Sequence, residues 1–178
     1  MISIDVTVLC FSFARKKKAM SDVLQPGENL NEREVFVPFL YEDLYNIMNE
    51  NISASNMMTT TPQPLGRGYY FTSDVTKSLQ WCFDNLGDTR SKINLLVCQV
   101  LLGESTKGHR YVREFPRRED GRFFDSLVDN KENPSLFVIS NIEQCYPVYV
   151  IDFTFPQSSS AHLGKIKIIF TNVNQKLA

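Results

Sequence analysis

Residues 66–82 read GRGYYFTSDVTKSLQWC. The three consecutive aromatics Tyr69, Tyr70 and Phe71 form a short strand signal between breaker residues. Thr72 or Ser73 then supplies a side-chain oxygen suited to capping a helix. Beyond it, Val75, Leu79, Cys82, Phe83 and Leu86 recur at helical spacing, which predicts one apolar face. The stretch is therefore a corner, strand into helix. Gly66 and Gly68 flank Arg67 as a bare GxG, which reads as the turn before the strand and not as a phosphate loop.

Working outward, residues 93–102 (INLLVCQVLL) are an almost continuous apolar run ended by Gly103, as a buried strand requires. Residues 136–140 and 148–155 read as two further strands, and 165–173 (KIKIIFTNV) as a last edge strand. Upstream, 4–11 (IDVTVLCF) alternates and is β-branched, which predicts a strand, and 14–20 (ARKKKAM) a short solvated helix. Residues 22–33 are loop-like. Leu40, Leu44, Ile47, Met48 and Ile52 predict a helix over 40–52, followed by a loop rich in small and breaker residues. The total is a β-rich α+β domain with two or three helices.

The chain has 178 residues, enough for one domain with a real core. Formal net charge is −1, so no global field gathers nucleic acid or an acidic membrane. The four cysteines are widely spaced and histidine is almost absent, which leaves no zinc pattern and suggests reduced thiols. The apolar run 6–13 is too short to span a bilayer, and its basic cluster follows it, the reverse of a signal peptide. Cytosol or nucleus is the expected location. No Ser-His-Asp set, HExxH or GxxxxGK[ST] occurs. Residues 107–122 interleave arginines with acids and phenylalanines. They read as a solvated loop packed by its aromatics, with nucleotide stacking as the alternative.

Three ordered segments together resemble the poly(ADP-ribose) polymerase catalytic domain. GRGYYFTSDVTKSLQWC resembles that family's GKGxYFA…SxSxxYC signature. INLLVCQVLLGES (93–105) resembles its strand ending in an LxG turn. FFDSLVDNKENPSLFVISNIEQCYPVYVIDF (123–153) resembles its YDSCVDN…IFVIF…YPEYVI pattern. Weaker likeness, in ARKKKAM and NEREVF, extends the match to about residues 5–155. The mono-ADP-ribosylating and inactive branches resemble it most. The resemblance implies split, largely antiparallel sheets around an NAD cleft, with NAD as substrate and no metal. The partners it implies are a protein acceptor or a protein-interaction partner; nucleic acid and membrane are not indicated. Domain limits of 1–156, with a 157–178 tail, follow from it.

In that family a His-Tyr-Glu triad holds NAD. The tyrosine falls on Tyr70, the serine that bonds the nicotinamide amide on Ser78, and a second stacking aromatic on Trp81, with Gly68 in the turn. Positions 78 and 81 share a helix face, and two rings with one hydroxyl suit a flat amide-bearing ring. The plain alternative makes Tyr70 and Trp81 core aromatics and Ser78 incidental. The histidine falls on Val37 and its glycine on Pro38, which has no N–H to grip the amide. A strand at Val37 turning at Pro38 is the plain reading there. The glutamate falls on Leu136, which cannot bond a ribose. Losing two such contacts costs about 2–3 kcal/mol, or roughly a hundredfold in NAD affinity. These departures imply mono-ADP-ribosylation at most, weak or absent, and no polymer. An active mono-transferase and an interaction module that binds no NAD are the alternatives. The pair Val37→His, Pro38→Gly is expected to raise NAD affinity.

Overall fold

The computed structural model describes residues 6–39, 63–86, 92–154 and 167–172. The helix expected over 40–52 lies outside them. In chain order the elements are α1 (Val6–Ser21), β1 (Glu32–Phe39), β2 (Tyr69–Thr72), α2 (Val75–Leu86), β3 (Lys92–Leu101), β4 (Ser105–Lys107), β5 (Ser126–Val128), β6 (Leu136–Ile139), a 3₁₀ turn (Ile142–Gln144), β7 (Cys145–Thr154) and β8 (Lys167–Asn172). The eight strands order as β4-β5-β6-β2-β1-β3-β7-β8. Pairing is antiparallel throughout except for β4 with β5.

The sheet has two halves. β1, β3, β7 and β8 are long, and β3 pairs with β1 from Glu32↔Leu101 to Phe39↔Asn94. β2, β4, β5 and β6 are short. Among the described residues the halves share one strand-register pair, Phe36 of β1 opposite Thr72 of β2. Side chains alternate across a sheet, so its two faces carry different clusters. Val35, Val37, Phe39, Leu96 and Cys98 join Phe71, Phe137 and Ile139 in the largest one, which draws on both halves. The opposite face carries two smaller clusters. Tyr70, Leu127 and Val138 pack with Leu65, Val112 and Phe115, while Leu95, Val97 and Ile151 pack with Phe36, Val75 and Leu79. α2 thus lies over the long half.

The strand expected at 4–11 is a helix from Val6 onward. Alternation there is local, whereas the tertiary contact has helical period: Phe13 and Met20, two turns apart, are buried against Leu101, Leu30 and Tyr146. The Phe13 and Tyr146 rings stand 5.7 Å apart. The turn expected at Pro38 is also absent, since β1 runs through it with Pro38 opposite Leu95. A proline is tolerated there because, among the described residues, β1 forms no register pair with β2 at Pro38. The strands over 93–102, 136–140 and 148–155 stand where expected, and β8 lies at the sheet edge. β4 and β5, three residues each, were not foreseen. Among the described residues no helix is long and apolar enough to cross a membrane.

The loop before β1 is locked to the arginine-rich stretch. Glu28 accepts from Arg118, from Arg122 Nη2 at 3.2 Å on both oxygens, and from the Gln25 N–H at 2.9 Å. The Arg118 guanidinium foremost, then the Gln25 N–H, hold the Glu28 carboxyl at about 2, below its ordinary 4.5. A lowered carboxylate pKa stabilises the fold above the unfolded value, and that stability is lost as pH falls through the folded one. Glu28→Gln is therefore expected to lower the melting temperature near neutrality, and the gap from the parent should close between pH 4.5 and 2 in a thermal-melt series. A constant gap across that range would contradict the assignment.

Candidate functional site

The strand-to-helix corner at residues 66–82 is capped differently from expectation. Asp74, not Thr72 or Ser73, begins the helix, its Oδ1 accepting from the N–H of Thr76 (2.8 Å) and of Lys77 (3.4 Å). Thr72 Oγ1 accepts from the Asp74 N–H at 3.0 Å and donates to the Ser135 carbonyl at 2.7 Å. This ties the end of β2 to the start of β6. Asp129 completes the joint. Its Oδ1 accepts from the N–H groups of Asn130 (3.0 Å), Ser135 (2.9 Å) and Leu136 (3.1 Å), and its Oδ2 from Ser135 Oγ (2.6 Å). Lys77 Nζ, from α2, donates to Ser135 Oγ at 2.6 Å. Burial raises the Asp129 carboxyl's pKa, but the hydrogen bonds led by Ser135 outweigh it and the net direction is down. Sequence reasoning passed over Asp129 and Ser135. Their only signal is the turn-forming run DNKENPS at 129–135.

Register aligns the site positions. Phe36 is opposite Thr72, and Thr72 is opposite Leu136, so one row crosses β1, β2 and β6. Tyr70, two residues before Thr72, shares that face, as does Leu136, which packs against the Tyr70 cluster. Pro38, two residues after Phe36, falls on the same face by alternation. Val37 does not. It is buried with Phe71 and Phe137 on the other face.

Tyr70 is 4% exposed. Its hydroxyl donates to the Gly66 carbonyl and accepts from the Leu65 N–H at 3.1 Å, so it clamps the turn before its own strand. Burial is the main cause of its raised pKa. Gly68 makes the turn fit, because a Cβ there would stand 2.6 Å from the Ile139 carbonyl oxygen. Ser78, on α2, is 2% exposed, and its Oγ has no hydrogen-bond partner among the described residues. A buried hydroxyl left unpaired costs about 1–3 kcal/mol, and a ligand is one of the things that repays it. Trp81 follows on the same helix; its side chain lies outside the described residues. No cluster of metal-ligating side chains occurs among the described residues.

The family model for the poly(ADP-ribose) polymerase catalytic domain matches residues 31–120. Human protein mono-ADP-ribosyltransferase PARP11 is 32% identical over 108 residues, covering 49% of this chain and 31% of the relative. Human protein mono-ADP-ribosyltransferase PARP12 is 34% identical over 91 residues, covering 50% and 12%. The chain thus spans a third or less of these relatives' length. The crystal structure of the PARP domain of Arabidopsis RADICAL-INDUCED CELL DEATH1 superposes with a TM-score of 0.68 at 17% identity, covering 88% of this chain and 85% of that one. It shares the fold. The strand-to-helix corner, the two-part sheet and the match over half the chain agree, and the chain belongs to the poly(ADP-ribose) polymerase catalytic-domain family with its α+β ADP-ribosyltransferase fold.

Proposed function

We propose that this domain binds the nicotinamide end of NAD along α2 and is at most a feeble mono-ADP-ribosyltransferase, serving chiefly as a recognition or scaffolding module. The observation that carries this reading is the buried Ser78 hydroxyl, without a partner among the described residues, on the helix that packs over Phe36. A carboxamide bound there would satisfy it. Gly68, Tyr70, Trp81 and Pro38 complete the proposed contact set. Tyr70 spends its hydroxyl on the turn, so only its ring is offered.

The groups needed for turnover are the ones missing. Breaking the bond between nicotinamide and ribose develops oxocarbenium character, which asks for positioned ribose contacts and charge stabilisation. Leu136 offers an alkyl group beside Tyr70, and Val37 faces away, so neither position holds a ribose hydroxyl. Polymer synthesis is not expected. Mono-transfer to a protein acceptor is the upper limit of this chemistry.

Calorimetry with nicotinamide on the purified chain tests this. Ser78→Ala is expected to weaken nicotinamide by about fivefold, the worth of one neutral hydrogen bond. It should also leave the apo protein as stable or more so, because the orphan hydroxyl is gone. A weakened ligand on an unweakened fold is a pattern that simple damage does not give. No heat with either protein would favour the interaction module without NAD. Label carried from NAD onto protein at ordinary transferase rates would favour the active enzyme.

A further inference from the structure

The far end of β2 and β6 from Thr72 and Leu136 holds a groove of about 840 Å³. Its walls include Lys16, Arg67, Tyr69, Arg113, Phe123 and Phe124. From this geometry we infer a second binding site, which meets the proposed nicotinamide contacts only at Gly68 and does not rest on the function proposed above, for a phosphate-bearing nucleotide.

The basic wall is built by backbone contact. A Cβ on Gly66 would stand 2.6 Å from Val112 Cβ and 2.7 Å from its carbonyl oxygen, so only glycine permits the approach. Next to it the Arg67 N–H donates to that same carbonyl at 2.9 Å. Gly68 presses on Ile139 from the other side. Arg67 is thereby pinned between two glycines, against the residue that precedes Arg113. Among the described residues neither guanidinium has a carboxylate partner. The contrast lies within one stretch of chain: Arg118 and Arg122 are both occupied by Glu28 and Asp120.

The groove holds two acids. Glu114 is exposed, and Asp125 turns its Oδ2 to the Glu104 N–H at 3.0 Å. Lys16, Arg67 and Arg113 leave a net basic lining around them. Two guanidinium forks suit phosphate oxygens. The aromatic part suits a base. Phe123 is 48% exposed and carries the Arg117 guanidinium 4.0 Å from its centroid, while Tyr69 and Phe124 are half-buried beside it. Stacked rings next to arginines hold bases without reading their identity. The volume falls within the range of small-ligand sites. A phosphoserine peptide would use the arginines and leave the rings idle, so the nucleotide is the better match.

The test is calorimetry on the full chain with AMP, adenosine, inorganic phosphate and a phosphoserine peptide. AMP is expected to bind at least about tenfold more tightly than any of the other three, since only it engages both walls. Arg67→Ala with Arg113→Ala should weaken AMP by about 30-fold or more while leaving nicotinamide binding and the melting temperature as they were. Phe123→Ala should weaken AMP and spare phosphate; because that ring is already half-exposed, it gives an independent reading should the arginine pair disturb folding. A short oligonucleotide with and without its 5′ phosphate separates the sources. Preference for the phosphorylated strand over AMP marks a strand end, and parity or the reverse marks a free nucleotide. The inference is overturned if AMP does not bind, if the arginine variant binds it as the parent does, or if the phosphopeptide matches it.

Discussion

Val37→His is expected to destabilise the domain by about 2–4 kcal/mol and to bring no gain in NAD affinity, with or without Pro38→Gly. Val37 is 2% exposed among Val35, Phe71, Leu96 and Phe137. An imidazole placed there is larger than the isopropyl group it replaces and loses its water. It also faces away from Tyr70 and Leu136. Sequence alignment alone leads to the opposite expectation, improved binding. Urea unfolding and NAD calorimetry on the same variant decide between them. An unchanged midpoint with tighter NAD would place position 37 on the Tyr70 side of the sheet.

The second large effect is expected at Asp129. Asp129→Ala removes the acceptor for three backbone N–H groups and the Ser135 hydroxyl, and is expected to cost about 2–3 kcal/mol in denaturant unfolding. Amide exchange should quicken first at Ser135 and Leu136, where β6 begins. Asp129→Asn keeps an acceptor oxygen and should lose about half as much. The carboxyl's lowered pKa sets the pH sense. Its contribution is full above the unfolded carboxylate value and fades as pH falls through the folded one. The parent and the alanine variant should therefore converge in acid. Equal stability of the two at neutral pH would remove Asp129 from the joint.

Where the sequence is periodic, it foretells the fold. The apolar runs of β3 and β6, the β-branched and aromatic run of β7 and the stripe of α2 are each long enough, or plain enough, to declare their type. Val6 to Phe11 misleads because β-branched residues alternate there by chance, while the contacts that decide the element, Phe13 and Met20, lie beyond that window. β4 and β5 have too few residues to show any period; they exist because neighbours supply their hydrogen bonds. The candidate site divides the same way. Ser78 is singled out by the resemblance to the family's serine; the helical spacing of α2 adds only that it shares a face with position 81. The face of Val37 is not legible, because a strand's parity is fixed by register with β3, and a slip of one residue exchanges the two faces. The Asp129 joint depends on a turn that the run DNKENPS announces, without showing which side chain closes it.

The Phe36–Thr72 pair, the one strand-register pair between the two halves among the described residues, has a mechanical meaning. Though the Val37, Phe71 and Phe137 core also joins the halves, a seam with a strand ladder this short among the described residues would concentrate their relative movement on one residue row, the row that also carries Leu136. A molecule resting against α2 on one side and Leu136 on the other would act as a splint across the seam. Its binding energy would then appear as rigidity. Each tenfold excess of ligand over its dissociation constant adds about 1.4 kcal/mol to the folded state, and slowed amide exchange should report it in both halves together. If NAD binds as proposed, occupancy of this site would set the stiffness of the domain whether or not transfer follows.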